Sequence, residues 1–243
     1  MIAFEYPLTE KSRSYLRFES LFSHINQSIL FAHDSDTVGY FKSLFELIEL
    51  SERSDIRHDL VKDLRALTDE MQGWLVHEQA DTNAVKALIN EVSELINALL
   101  VMPKQLKFFK NSRFLTSLKQ RFFIPGGCCN FDLPQFHFWQ SQPIALRQVE
   151  AQQWFEHFKS LDRALSLFLK IKRDQGSKTK QQAKNGFFQG EVEEALFIVI
   201  NVEATLQVYP MLSGHKQRYS VRFMNANAEN SHADCTDFEQ VLC

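Results

Sequence analysis

The stretch RFFIPGGCCNFDLPQFHFW (121–139) carries the strongest local signals in this chain. It joins a Pro-Gly-Gly turn to two adjacent cysteines and a run of alternating aromatic residues. Pro125 fixes φ near about −65°, and the two glycines after it accept positive φ, so a sharp reversal of the chain is expected there. The alternation that follows favours a β-strand over 128–139. The stretch therefore predicts that a basic helix ends, the chain turns, and a central strand enters a sheet.

The two cysteines of this stretch invite a chemical interpretation. Adjacent residues of a strand point to opposite faces, so Cys128 and Cys129 cannot hold a metal jointly as a C-x-x-C pair does. A hydrolase that pairs one of them with His137 is conceivable, but a free cysteine on an apolar strand is usually inert. His232 and Cys235 form at most half of a metal site. We therefore expect no enzyme activity, no catalytic residue, no metal and no cofactor, and predict two reduced, structural cysteines, one in the sheet core and one on the opposite surface.

Composition describes an ordinary globular chain. It has 243 residues, of which 44% are apolar, enough for one or two domains with a sizeable core. No run of about 18 apolar residues and no secretory leader is visible, which predicts a cytoplasmic protein without membrane contact. The four cysteines are typical of reduced thiols. The 22 phenylalanines are interpreted first as core residues and second as an exposed docking surface.

Helical periodicity dominates the first two thirds of the chain. Apolar residues recur at intervals of three and four, which predicts amphipathic helices that pack as a bundle. Thr9 and the segment Asp81-Thr82-Asn83 are expected to cap two of these helices, and Pro143 is expected to open another that breaks near Ser160. The predicted apolar faces include Tyr15, Leu16, Leu21, Phe22, Ile25, Ile29, Phe41, Leu44, Phe45, Ile48, Ile56, Leu60, Leu64, Leu67, Met71, Val92, Leu95 and Leu99.

The last third of the chain favours β-structure. Strands are predicted over 195–202, 205–209, 218–224 and 238–242, and the alternating N-terminal segment is expected to join them. The expected fold class is α+β, with an N-terminal helical bundle and a mainly antiparallel β-sheet built from the N-terminal, central and C-terminal strands. The predicted boundaries are 8–122 and 142–172 for the helical domain, 1–7, 123–141 and 186–243 for the β domain, and 173–185 for a polar linker.

Positive charge is concentrated in two zones, although the chain carries 27 basic and 30 acidic residues. The zone 103–131 has six basic residues and no acid, and the zone 204–228 has three basic residues and no acid. In the run RYSVRFM, strand alternation puts Arg218 and Arg222 on one face and apolar residues on the other. Such a polar face is typical of any half-exposed strand, but two basic zones in an acidic chain favour an anionic partner.

Three segments make the chain recognisable: EYPLTEKSRSYLR (5–17), RFFIPGGCCNFDLPQFHFW (121–139) and YPMLSGHKQRYSVRFM (209–224). In this order and spacing they resemble the ZapD family of bacterial cell-division proteins, which are partners of the tubulin-like FtsZ. The resemblance implies a homodimer that binds the disordered C-terminal tail of FtsZ and bundles its filaments at the mid-cell division ring. It also implies a basic pocket for that tail, which draws on Arg17, Arg53, Arg113, His137, Arg218 and Arg222.

A nucleic-acid-binding module is the alternative. It would use the basic segments 104–121 and 215–222, but the sequence contains no zinc-finger, RNP or helix-turn-helix signature, and its pI is about 6.2. If one pocket binds the FtsZ tail, the two basic segments must also lie close together in the folded protein. The two basic segments should lie on one continuous face, although they are far apart in the sequence.

Overall fold

The computed structural model describes residues 1–77, 81–102, 107–215, 217–227, 233 and 235–243. Within these residues the chain forms nine α-helices and one antiparallel sheet of seven strands, which confirms the α+β class. It divides into two compact units. We call Met1–Leu16 with Leu167–Cys243 the sheet unit, and Arg17–Ser166 the helical unit.

The helices account for most of the chain. None of those in the described residues combines the length and the apolar content that crossing a bilayer requires. The helices are α1 (Glu10–Ser28), α2 (Asp34–Arg53), α3 (Ile56–Trp74), α4 (Thr82–Val101), α5 (Lys107–Asn111), α6 (Arg113–Phe122), α7 (Pro134–Gln140), α8 (Ile144–Glu156) and α9 (Lys159–Asp174). The strands are β1 (Ile2–Pro7), β2 (Ser177–Lys184), β3 (Phe187–Glu191), β4 (Phe197–Val202), β5 (Val208–His215), β6 (Arg218–Asn225) and β7 (Cys235–Leu242).

Both predicted helix caps are present. The backbone N–H of Ser12 donates to Thr9 Oγ1 at 3.0 Å, and the backbone N–H of Thr9 donates to Ser12 Oγ at 3.1 Å. At the start of α4, Asp81 Oδ1 accepts from the backbone N–H groups of Asn83 and Ala84 at 3.0 and 3.1 Å. These bonds satisfy N–H groups that have no partner inside the helix, and so they fix where α1 and α4 begin.

An aromatic core holds the helical unit together. Thirteen of the 22 phenylalanines of the chain are buried, nine of them in this unit, which confirms their interpretation as core residues. Phe41 of α2 is fully buried at the centre of this cluster. Its ring lies within 5.2 to 6.1 Å, between ring centroids, of those of Tyr40, Phe45, Phe114, Phe136, Trp139 and Trp154. Such tilted and edge-to-face contacts add to the stabilisation from apolar burial.

The sheet of the sheet unit has the strand order β1-β4-β7-β2-β3-β6-β5. It curls around a core that includes Ile200 of β4 and Val221 of β6. The two edge strands meet, because the backbone N–H of Gly214 in β5 donates to the hydroxyl oxygen of Tyr6 in β1 at 3.2 Å. This contact occupies a backbone donor that an open edge would expose.

The predicted central strand over 128–139 is wrong, because this segment forms turns followed by helix α7. The turn at Pro125 is present, and Gly126 has a φ of +72°. Pro134 is the first residue of α7, and proline suits this position because a backbone N–H there would have no partner inside the helix. Leu133, Phe136 and Trp139 are buried at a spacing of three, whereas Phe138 is 66% exposed. The burial follows a helical period, so segment 123–141 adds no strand to the sheet.

The predicted polar linker over 173–185 is also wrong. Residues up to Asp174 belong to α9, and β2 then pairs with β7 along its whole length, from Ser177 opposite Leu242 to Lys184 opposite Cys235. A two-residue turn, Asn185 and Gly186, follows with φ values of +51° and +67°. Positive φ at both positions is the geometry of a type I′ hairpin turn, which joins β2 to a strand, β3, that the sequence did not predict.

The remaining predictions of regular structure hold with shifted limits. The strands expected near the N terminus, at 195–202, at 218–224 and at 238–242 are β1, β4, β6 and β7. The strand expected at 205–209 instead begins at Val208, after a short 3₁₀ turn over Ala204–Leu206. The helix expected from Pro143, with a break near Ser160, is two helices, α8 and α9, and the break lies between Glu156 and Lys159.

Candidate functional site

A cavity of about 390 Å³ lies between α1 and α2 in the helical unit. We call it the groove. Four residues from each helix line it, and in both helices they follow the spacing i, i+3, i+4, i+7, which selects one stripe of a helix surface. The lining residues are Arg17, Ser20, Leu21 and His24 of α1, and Glu46, Glu49, Leu50 and Arg53 of α2. Two of the six residues implied by the resemblance, Arg17 and Arg53, therefore share one cavity.

Acidic side chains line the groove together with the basic ones. Arg53 Nη2 donates to Glu49 Oε1 one helical turn away, so this arginine already has a carboxylate partner. Within the described part of the chain, Arg17 and the half-buried Glu46 have neither an ion-pair partner nor a side-chain hydrogen bond. Leu21 and Leu50 are half buried and give the groove apolar surface. The groove therefore carries both positive and negative charges and is not uniformly basic.

Arg113 and His137 lie on two other helices of the same unit. Arg113 is the first residue of α6, whose start is fixed by Ser112 Oγ, the acceptor of a backbone N–H bond at 3.2 Å. His137 lies on α7, and both side chains are exposed. The two helices are in contact, since the rings of Phe114 and Trp139 lie 6.2 Å apart between centroids. Phe114 follows Arg113 directly and Trp139 lies two residues after His137, so the contact places these two side chains on neighbouring helices.

The basic zone around α6 contains no acid in the sequence, but in the folded chain acidic side chains from outside the zone lie next to it. Lys110 lies 3.7 Å from Glu52 of α2, and Arg121 lies 3.6 Å from Asp132. All four side chains are substantially exposed, and such pairs contribute little to stability. They do reduce the positive field of the zone. Lys104, which belongs to the same zone, lies outside the described residues.

Arg218 and Arg222 are exposed on β6 in the sheet unit. Arg218 Nη2 lies 3.2 Å from Glu191 Oε1, across the pairing of β3 with β6. Arg222 stands between Phe187 of β3 and Met211 of β5 in the strand register. These two neighbours are 44% and 55% exposed, respectively. Arg222 therefore offers a cation next to apolar surface, a combination that suits a peptide with both acidic and apolar side chains.

The predicted division of β6 into two faces is confirmed. Tyr219, Val221 and Phe223 are at most 1% exposed and belong to the sheet core. The core contacts fix the register of the strand, and the register fixes the outward direction of the arginines. Lys216, the third cation of this zone, lies outside the described residues.

The six implied residues belong to both units of the chain. Four of them, Arg17, Arg53, Arg113 and His137, lie in the helical unit, and two, Arg218 and Arg222, lie in the sheet unit. The groove unites one pair and strand β6 unites another. That all six share a single surface remains a prediction.

The cysteines do not lie where the sequence predicted. Cys128 is half buried and Cys129 is exposed, both in the turns before α7 and neither in a sheet. Burial, and secondarily the neighbouring Cys129, raises the pKa of the Cys128 thiol. A nucleophilic cysteine needs the opposite shift. Among the described residues no group of three or more His, Cys, Asp or Glu side chains could hold a metal, and His232 lies outside them.

Sequence reasoning missed part of these sites. It did not single out Glu46, Glu49 or His24 of the groove, nor Phe187 and Met211 beside Arg222. The groove residues share one helical stripe with the predicted arginines, so the spacing alone could have indicated them. The neighbours of Arg222 depend on strand pairing, and the local sequence gives no signal for it.

The chain is similar to known cell-division proteins along its whole length. The family model of ZapD, described as a cell division protein, matches residues 16–222. The Cell division protein ZapD of Vibrio vulnificus strain CMCP6 is 37% identical over 240 residues, which cover 99% of this chain and 98% of that protein. Those of Pectobacterium atrosepticum and Vibrio cholerae are 35% and 33% identical, over 95% and 99% of this chain and 92% and 98% of the relatives. The chain belongs to the ZapD family of cell division proteins.

Proposed function

We propose that this protein binds the C-terminal tail of FtsZ through cationic side chains of both units. As a homodimer in the cytoplasm, it then cross-links FtsZ filaments into bundles at the mid-cell division ring. Membership of a family of cell division proteins supports the role in division. The observation that carries the binding proposal is that Arg17 and Arg53, which the resemblance implies independently, line the same groove.

The chemistry of the two surfaces fits a disordered tail that carries carboxylates and apolar side chains. An arginine presents a planar fork of donors that can bind a carboxylate through two parallel hydrogen bonds. Arg17 offers such a fork in a groove that is also lined by Leu21 and Leu50, and Arg222 offers one between Phe187 and Met211 in the strand register. Each surface can therefore bind an acidic group and a neighbouring apolar group of one peptide.

Dimerisation would turn modest affinity into cross-linking. Ordering a disordered peptide costs conformational entropy, so the affinity of one site is expected to be modest. A filament presents one tail on every subunit, and a dimer presents two sites. Linking two weak contacts in this way raises the apparent affinity by roughly 10²–10⁴ without a new contact.

Alanine substitution of the arginines tests the proposal. We expect Arg17→Ala and Arg222→Ala each to weaken binding of a synthetic FtsZ C-terminal peptide by about 1–3 kcal/mol, the size of a lost charge-assisted contact. Fluorescence anisotropy with labelled peptide measures the affinities, and circular dichroism checks the fold.

Arg65→Ala is the matched control, because Arg65 is an exposed arginine of α3 that does not line the groove. Its affinity for the peptide should equal that of the unmodified protein. Unchanged binding by both the Arg17 and the Arg222 variants would refute the proposed site.

A further inference from the structure

The two walls of the groove differ in charge. The α1 wall contributes Arg17 and His24, and the α2 wall contributes Glu46 and Glu49 with Arg53 at one end. Because Arg53 and Glu49 bind each other, their opposite charges largely cancel in the electrostatic field that a ligand in the groove experiences. Besides His24, the groups left to act on a ligand are a cation on the α1 wall, Arg17, and an acid on the α2 wall, Glu46.

An acid in this position affects what the groove can bind. A ligand with only negative charge would be attracted by Arg17 and repelled by Glu46, which line the same groove, so the two effects oppose each other. Glu46 is half buried, and burial weakens the screening of such repulsion by water and salt. A ligand with both charges, suitably spaced, would instead be attracted by both walls.

We propose that the groove recognises a peptide segment in which a basic residue and an acidic residue flank an apolar side chain. The carboxylate pairs with Arg17, the basic side chain pairs with Glu46, and the apolar side chain contacts Leu21 and Leu50. This inference rests on the proposed function, because the segment is taken to be part of the FtsZ tail. Glu46 is then a specificity-determining residue that disfavours ligands with negative charge alone.

The direction in which one substitution changes the affinity for the peptide separates this proposal from simple attraction of anions by a basic pocket. Glu46→Gln removes the charge and keeps the size of the side chain. If Glu46 pairs with a cation of the peptide, the substitution should weaken binding of the FtsZ C-terminal peptide by about twofold to fivefold, the range for a partly exposed ion pair. If the groove merely attracts anions, the same substitution should tighten binding.

Glu52→Gln serves as the matched control. Glu52 is on the same helix, but it pairs with Lys110 at 3.7 Å and does not line the groove. Peptides in which each Lys or Arg is replaced by Gln, one at a time, complete the design. One of these peptides should bind the unmodified protein more weakly and yet lose nothing further with the Glu46→Gln variant, because the two changes remove the same contact.

The outcomes distinguish this inference from the function on which it rests. Tighter or unchanged binding by Glu46→Gln, combined with weaker binding by Arg17→Ala, would overturn the inference and leave the proposed function intact. Strictly additive losses for every peptide and variant pair would also overturn it. Failure of the unmodified protein to bind the FtsZ peptide would overturn both.

Discussion

At the scale of single residues, the partners of a charged side chain decide what it can bind. Arg17 and Arg53 line one groove, yet Arg53 is held by Glu49 while Arg17 has no acidic partner among the described residues. Arg218 is likewise paired with Glu191, whereas Arg222 stands between two apolar side chains. If the proposed binding occurs, we expect Arg17 and Arg222 to contribute more to it than Arg53 and Arg218.

The cysteines give a prediction at the same scale. Burial, and then the charge of Glu5, raises the pKa of the Cys243 thiol to about 11, against an opposing effect of Arg173. Only the thiolate reacts, and at pH 8 a thiol with this pKa has roughly 100-fold less thiolate than an ordinary cysteine. A thiolate of higher pKa is intrinsically more nucleophilic, by about tenfold here, which offsets part of that loss. Cys243 should therefore react with iodoacetamide roughly tenfold more slowly than an exposed thiol.

The exposed Cys129 is the internal reference for that experiment, and Cys128, whose pKa is also raised, should be slower than Cys129. Mass spectrometry of peptide fragments after timed alkylation measures the order. In urea the rates should converge, because the shifts arise from the folded structure. Faster alkylation of Cys128 than of Cys129 in the folded protein would contradict the raised pKa of Cys128 and would support a role for it as a reactive thiol.

At the scale of elements, local signals predicted most helices and strands, and non-local ones decided the rest. The Thr9 and Asp81 caps and the apolar stripes act within a few residues, so the sequence shows them directly. Strand β2 is polar, and it exists because it pairs with β7, more than 50 positions away in the chain. Its visible sign was the Asn185-Gly186 turn. For α7, Pro134 should have outweighed the alternation of aromatic residues, because proline suits a helix start and not a central strand.

The candidate site, too, was predictable from the sequence only where a local pattern determines it. Arg218 and Arg222 could be placed on the outer face of one strand by alternation alone. The meeting of Arg17 with Arg53 came only from the resemblance to a family, because it depends on how α1 packs against α2. Acidic partners such as Glu191 and Asp132 could not be foreseen, since each comes from a different element or turn.

Packing between β3 and β6 gives the prediction at this scale. A Cβ on Gly190 would lie 2.4 Å from the ring of Tyr219, which is 1% exposed and donates its hydroxyl to Gln240. The ring cannot move without losing that bond, so Gly190→Ala should destabilise the protein by about 1–3 kcal/mol. Urea unfolding followed by circular dichroism measures the change.

Gly73→Ala provides the comparison, because a Cβ there meets no atom within 4 Å and Gly73 lies in helix α3. Alanine favours a helix over glycine by roughly 0.5–1 kcal/mol, so this variant should be equal to or more stable than the original protein. Similar unfolding midpoints for the two variants would show that the packing of the Tyr219 ring does not require a glycine at position 190.

At the scale of the whole molecule, the proposed function depends on combining sites that we expect to be individually weak. The four implied residues of the helical unit and the two of the sheet unit belong to different compact parts of the chain. A homodimer would double each of them. We therefore expect loss of one arginine to reduce bundling of filaments more steeply than it reduces binding of a single peptide, since cross-linking needs two tails held at once.

Under the proposed function, the protein bundles filaments because it binds the C-terminal tail of FtsZ. Low-speed co-sedimentation of the protein with FtsZ polymers, compared with polymers of FtsZ that lack this tail, measures whether bundling needs the tail. We predict that full-length filaments sediment as bundles together with the protein, and that tail-less filaments remain in the supernatant. Equal bundling of both kinds of filament would contradict the account.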